Sequence, residues 1–184
     1  MKKFTSLLLT AFLTVSLTGC GSDSGVQPSG NDIYANDEGY STGEMHDTVH
    51  TYFFDFTINS AYVCETYESY TPAEGNDLLV AEVTIKNTFE DTITMYDTDF
   101  QVQWNDEAED AFDVPITYHM DIDEVLNEDV FPYEYELKKN KSRTGLMIFE
   151  VPEGNTEFSI SYLEYFEDYT YGDVHFVYFS AEKQ

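Results

Sequence analysis

The chain predicts an all-β domain, built as a sandwich or a barrel. Three observations carry that expectation. At least seven segments alternate apolar and polar residues with a period of two, the pattern of half-buried strands. Turn-rich stretches separate them, as in packed or closed β-architectures. No segment carries a long amphipathic helix. The best short candidate is MDIDEVLNED (120–129), where Ile122, Val125 and Leu126 follow helical spacing and suggest a single helical turn or a loop.

Taken in order, YFFDFTI (52–58) places Tyr52, Phe54, Phe56 and Ile58 on one face. LLVAEVTIKN (78–87) places Leu79, Ala81, Val83 and Ile85 on one face, with Glu82, Thr84 and Lys86 opposite. FQVQW alternates through Phe100, Val102 and Trp104, and FPYEYEL through Phe131, Tyr133, Tyr135 and Leu137. GLMIFEV, FSISYLEYF and VHFVYFS complete the series. A length of 184 residues fits one domain. Its 15 Tyr and 14 Phe supply a core that a disordered chain would lack. Cys64, inside one alternating segment, reads as a buried and inert thiol.

The N-terminus follows a different pattern. Lys2 and Lys3 precede an apolar run from Phe4 to Leu17, and no acidic residue appears before Asp23. That is the layout of a signal peptide over residues 1–19, too short and too interrupted by Thr and Ser for a membrane span. Leu17-Thr18-Gly19-Cys20 resembles the lipobox of bacterial lipoproteins. The resemblance implies that the Cys20 thiol carries a diacylglycerol and that the chain is cut just before it. Two acyl chains hold where one is marginal, at about 0.8 kcal/mol per buried methylene. The expected location is the cell membrane, lipid-anchored, on the extracytoplasmic side.

Residues 20–48 are rich in Gly, Ser, Asn and Asp, with little apolar periodicity. They predict a lipidated cysteine followed by a disordered tether, with an r.m.s. span of roughly 30 Å. The folded domain is then expected over 49–184. Charge narrows the partners. Thirty-six Asp and Glu against eight Lys and Arg give −28. Nucleic acid is excluded because phosphate binding needs a basic footprint. Anionic headgroups would repel such a chain, so the lipid on Cys20 has to hold it at the membrane.

Two stretches, DLLVAEVTIKNTFEDTITMYDTDFQV (77–102) and ELKKNKSRTGLMIFEVPEG (136–154), resemble the bacterial extracellular domain of unknown function 4352. The matching pieces are the strand Ala81–Asn87, its continuation Ile93–Phe100, and the strand end Phe149–Pro152. The resemblance implies an immunoglobulin-like β-sandwich, and it supplies no catalytic residues. Lys139-Asn140-Lys141 departs from the family's common Pro-Gly-Glu-like turn, and the acidic segment from Asn105 to Glu136 is long.

Chemistry is harder to find. There is no Gly-x-Ser-x-Gly, no His-Glu-x-x-His and no phosphate-cradling Gly loop. The chain is therefore expected not to be an enzyme and to need no cofactor. Carboxylates crowd two acidic stretches, and calcium prefers such oxygen ligands. The candidates are Asp106, Glu107, Asp121, Asp123 and Glu124, without the full order of a calcium-binding loop. Basic residues gather at Lys138, Lys139, Lys141 and Arg143, a candidate docking spot. The stretch 162–179 has too many rings for one inward face, leaving Tyr165, Tyr169 and Tyr171 as exposed binding candidates. The expected function is a lipid-anchored binding module with a protein or glycan ligand. The alternative is a calcium-binding or accessory domain of an envelope enzyme system, with His119 or His175 meeting carboxylates in a pocket.

Overall fold

The computed structural model describes residues 30–104, 111–120 and 126–184. The signal peptide, Cys20, the 20–29 part of the tether and all five candidate calcium ligands lie outside them. So does half of the 120–129 helical candidate, residues 121–125.

The described residues form two five-stranded sheets and a two-stranded ribbon. The first sheet runs β1 (Asp32–Ile33), β3 (Thr48–His50), β4 (Phe54–Cys64), β5 (Asn76–Asn87) and β10 (Ser142–Pro152). The second runs β2 (Tyr40–Glu44), β12 (Tyr171–Ser180), β11 (Glu157–Tyr165), β7 (Phe100–Trp104) and β8 (Phe112–Asp113). The ribbon joins β6 (Ile93–Tyr96) to β9 (Glu134–Leu137). Two 3-10 turns, Asp97–Asp99 and Ile116–His119, complete the described elements. The molecule is a β-sandwich.

Alternation sets the main core. Phe54, Phe56 and Ile58 of β4 and Leu79, Ala81, Val83 and Ile85 of β5 face Phe100, Val102, Ile160 and Tyr162 from the other sheet. The rings of Phe54 and Tyr162 lie 4.6 Å apart and those of Phe56 and Phe100 5.5 Å apart. Tyr52 does not continue the β4 stripe; it precedes the strand and is 59% exposed.

A second core was not legible as alternation. Leu78, Val80 and Ile148 point outward from β5 and β10, yet they are buried. Ile116 and Val130, with Met120 and Leu126, cover them. The described parts of the connection between β7 and β9, residues 111–120 and 126–133, therefore form a flap across the outer face of the first sheet. It explains why LLVA is a continuous apolar run: both faces of that strand end are covered. Cys64 lies half-buried beside this cluster, and burial pushes its thiol pKa up.

The tether expectation is corrected over residues 30–48. These residues contribute β1 and β3 to one sheet and β2 to the other. β2 pairs in parallel with β12, Tyr40 opposite Val174 through Glu44 opposite Tyr178. Main-chain pairing needs no apolar stripe, so the segment reads as linker by composition alone. Its polar residues do local work: buried Asp47 accepts the Asn31 and Glu44 N–H groups at 2.7 and 2.9 Å. Burial would raise the Asp47 pKa, but these hydrogen bonds outweigh it and hold the carboxyl below its usual range.

His50 clamps the new N-terminal strand. Its Nδ1 meets Asp55 at 2.7 Å, its Nε2 meets Asp32 at 2.9 Å, and Tyr34 stacks on its ring at 4.3 Å. Burial would lower its pKa, but the two carboxylates outweigh that and raise it. A histidine pKa raised by folding stabilises the fold below the unfolded value of about 6.5. That contribution disappears as pH rises through the folded pKa. Amide exchange at residues 31–34, corrected for intrinsic rate, is expected to be faster at about pH 8.5 than at about pH 5.5. Equal protection at both would refute the clamp.

Candidate functional site

One end of the sandwich gathers most of the residues singled out by sequence. The β11–β12 hairpin ends there, and so do the turns before β4, after β5 and before β10. Backbone bonds stitch them together. Asn140 donates to the Asn87 carbonyl at 3.0 Å, and Thr88 and Phe89 donate to the Phe53 carbonyl at 3.2 and 3.0 Å. The Phe53 ring then sits 5.4 Å from Phe89 and 5.5 Å from Phe166, with Tyr52 against all three. The basic turn and the tyrosine hairpin are therefore two parts of one surface, joined through an aromatic floor.

The three tyrosines meet. Tyr165 and Tyr171 are opposite each other in the ladder, with ring centroids 5.4 Å apart, and Tyr169 lies 6.3 Å from Tyr165. Their exposures are 50%, 71% and 81% in the order Tyr165, Tyr171, Tyr169. Tyr169 has φ +66°, the left-handed region where Gly or Asn is the economical choice. A bulky residue held there costs of order 1 kcal/mol, and at 81% exposure only an edge contact with Tyr165 offsets it. Asp168 fixes the turn by accepting the Thr170 hydroxyl at 2.6 Å and its N–H at 3.2 Å. These hydrogen bonds hold the Asp168 pKa below the usual carboxylate range.

The basic group divides. Lys138, Lys139 and Lys141 are exposed on the turn, where Asn140 takes φ +58° in place of the family's glycine. Arg143 leaves the group. Its guanidinium stacks over Tyr135 at 4.8 Å and Phe131 at 5.4 Å, on the ribbon side.

Below the hairpin lies a buried polar chain: His175, a candidate from the sequence, meets a carboxylate there, while its partners Ser41 and Glu164 were not singled out. Ser41 Oγ meets His175 Nδ1 at 2.8 Å, and His175 Nε2 meets Glu164 Oε1 at 3.2 Å. Glu164 also accepts the Tyr52 N–H at 2.7 Å and the Asp173 N–H at 3.1 Å. The carboxylate can only accept, so Nε2 carries the ring proton. All three side chains are buried. Gly172 makes room for them, since a Cβ there would lie 2.4 Å from Glu164 Oε2. The chain locks β2, β11, β12 and the turn before β4 together beneath the tyrosines. The signal for Glu164 was its place on the inward face of an alternating strand. The other histidine, His119, lies on the surface 3.8 Å from Asp113.

The family model for a domain of unknown function, DUF4352, matches residues 43–174. The chain belongs to this family. The DUF4352 match takes in the tyrosine hairpin and the basic turn, whereas Ser41 and His175 lie just outside it. No curated protein matches the chain. Among solved structures, the fold is similar to a candidate lipoprotein (ycdA) from Bacillus subtilis, with TM-score 0.54 at 16% identity. That match covers 73% of this chain and 38% of the other, so the chain spans well under half of that protein. Similarity also extends to a candidate lipoprotein from Staphylococcus aureus, with TM-score 0.47, 14% identity and 77% and 94% of the two chains covered. A β-sandwich protein from Clostridium difficile 630 gives TM-score 0.41 at 13% identity, covering 76% and 93%. Among the described residues of this DUF4352 protein, no helix is long and apolar enough to cross a membrane.

Proposed function

We propose that this protein is a lipid-anchored, non-catalytic binding module of the cell envelope, and that its tyrosine hairpin end contacts a protein or glycan partner outside the cytoplasm. The observation that carries the reading is Tyr169, an almost fully exposed ring on a strained but tightly bonded turn. Neither packing nor turn chemistry accounts for it. With Tyr165 and Tyr171 it forms a rigid aromatic platform, the kind of surface that binds partners at low entropic cost. The Lys2-to-Cys20 pattern supports the anchor.

The test is a pull-down from envelope extract on the immobilised mature chain, with captured species identified and then titrated. The double variant Tyr169→Ala, Tyr171→Ala is expected to weaken saturable binding at least tenfold, about 1.4 kcal/mol. Its melting temperature should stay unchanged, because both rings are largely solvent-exposed. Absence of any saturable partner, or full affinity in the double variant, would overturn the reading.

A further inference from the structure

The 3-10 turn that follows β6 meets the second 3-10 turn, and that second turn packs against β10. Between them is a small, largely enclosed cavity of about 10 Å³, room for one water-sized body. Its walls are mostly apolar, with Phe131, Met147 and Ile148 among them. Four residues with polar side chains interrupt those walls: Tyr96, which is partly exposed, and Asp97, Thr117 and Tyr135. Both carboxylate oxygens of Asp97, the Thr117 hydroxyl and the Tyr135 hydroxyl are buried without a well-aligned hydrogen bond to the protein. Among the described residues, these are the only buried side-chain polar atoms so placed.

Such orphans are rare, and each calls for an explanation. Here they come from three separate elements and line one void. Asp97 is 5% exposed. Burial pushes its pKa up, even with the nearby Thr117 hydroxyl, the Thr98 and Asp97 backbone N–H groups and the His119 charge pulling the other way. Asp99 carries a second carboxylate nearby, but it does not line the void, and its Oδ2 accepts the Tyr96 N–H at 2.7 Å. Arg143 is engaged with the rings of Tyr135 and Phe131. A buried carboxylate in an apolar setting needs a compensating charge. Asp97 is the one carboxylate that lines the void, and with neutral hydroxyls around it the lining balances one positive charge. All three groups offer hard oxygen, which suits an alkali cation.

We propose that Asp97, Thr117 and Tyr135 form a buried binding site for a single monovalent alkali cation, tying the ribbon to the flap over the second core. The site is distinct from the acidic stretches singled out by sequence, and it does not depend on the tyrosine platform.

The experiment follows thermal unfolding of the mature protein in choline chloride, sodium chloride, potassium chloride and calcium chloride at matched ionic strength. Sodium or potassium is expected to raise the melting temperature by about 3 °C or more over choline at saturating concentration. Asp97→Asn should remove that difference, and Tyr135→Phe should reduce it. Broadening of the sodium-23 resonance by the wild type, absent with Asp97→Asn, would report the ion directly and does not depend on variant stability. Equal melting in choline and both alkali salts would overturn the proposal; that result would leave Asp97 neutralised by a proton. A response to calcium alone, or an alkali response retained by Asp97→Asn, would also overturn it.

Discussion

Replacing Glu164 by alanine is expected to destabilise the domain by about 3–5 kcal/mol, the cost of removing one partner from a buried polar pair. The carboxylate serves His175, the Tyr52 N–H and the Asp173 N–H at once. Its loss strands the buried His175 ring N–H, which costs about 1–3 kcal/mol before relaxation or water entry, and two part-buried backbone N–H groups that cost less. Glu164→Gln keeps an acceptor in place and should lose less than half as much. Trp104 is the single tryptophan and reports unfolding in urea. The effect should also be local first: amides at 165–171 should exchange faster, because the hairpin loses its lock to the turn before β4. An Ala variant within about 1 kcal/mol of wild type would show that Glu164 is incidental. This matters for function, since the tyrosine platform rests on that lock.

Exchanging residues 1–20 for a cleavable secretion signal without a cysteine is expected to move the protein from the membrane fraction to the soluble one. In the proposed anchor two acyl chains would supply the hold, at about 0.8 kcal/mol per buried methylene. A formal charge of −28 repels anionic headgroups, and the described residues contain no membrane-spanning helix. Mass spectrometry of the wild-type mature N-terminus should find Cys20 first, carrying a diacylglycerol mass. An unmodified Cys20, or continued membrane retention after the exchange, would remove the anchor from the functional reading.

The sandwich strands were legible because their stripes face one core. Phe54-Phe56-Ile58 and Leu79-Ala81-Val83-Ile85 show a period of two without help from other segments. The N-terminal strands were not legible. Tyr40–Glu44 joins β12 through backbone bonds, and its buried Ser41 is held by His175 rather than by apolar packing. The candidate site was half legible. An excess of rings in 162–179 pointed to exposed tyrosines, but not to their contact with one another. The basic cluster was over-read at Arg143, because cation–π stacking on Tyr135 joins residues eight apart in the chain.

The sequence by itself determined the strand-forming segments, the acidity and the signal-and-cysteine pattern at the N-terminus, because each is a property of neighbouring residues. Only the tertiary structure decided which polar groups meet. Ser41 and His175 are 134 residues apart. Asp97, Thr117 and Tyr135 converge from three elements on one void. Burial and distance set the energy of such groups, and both arise only when the sheets pack.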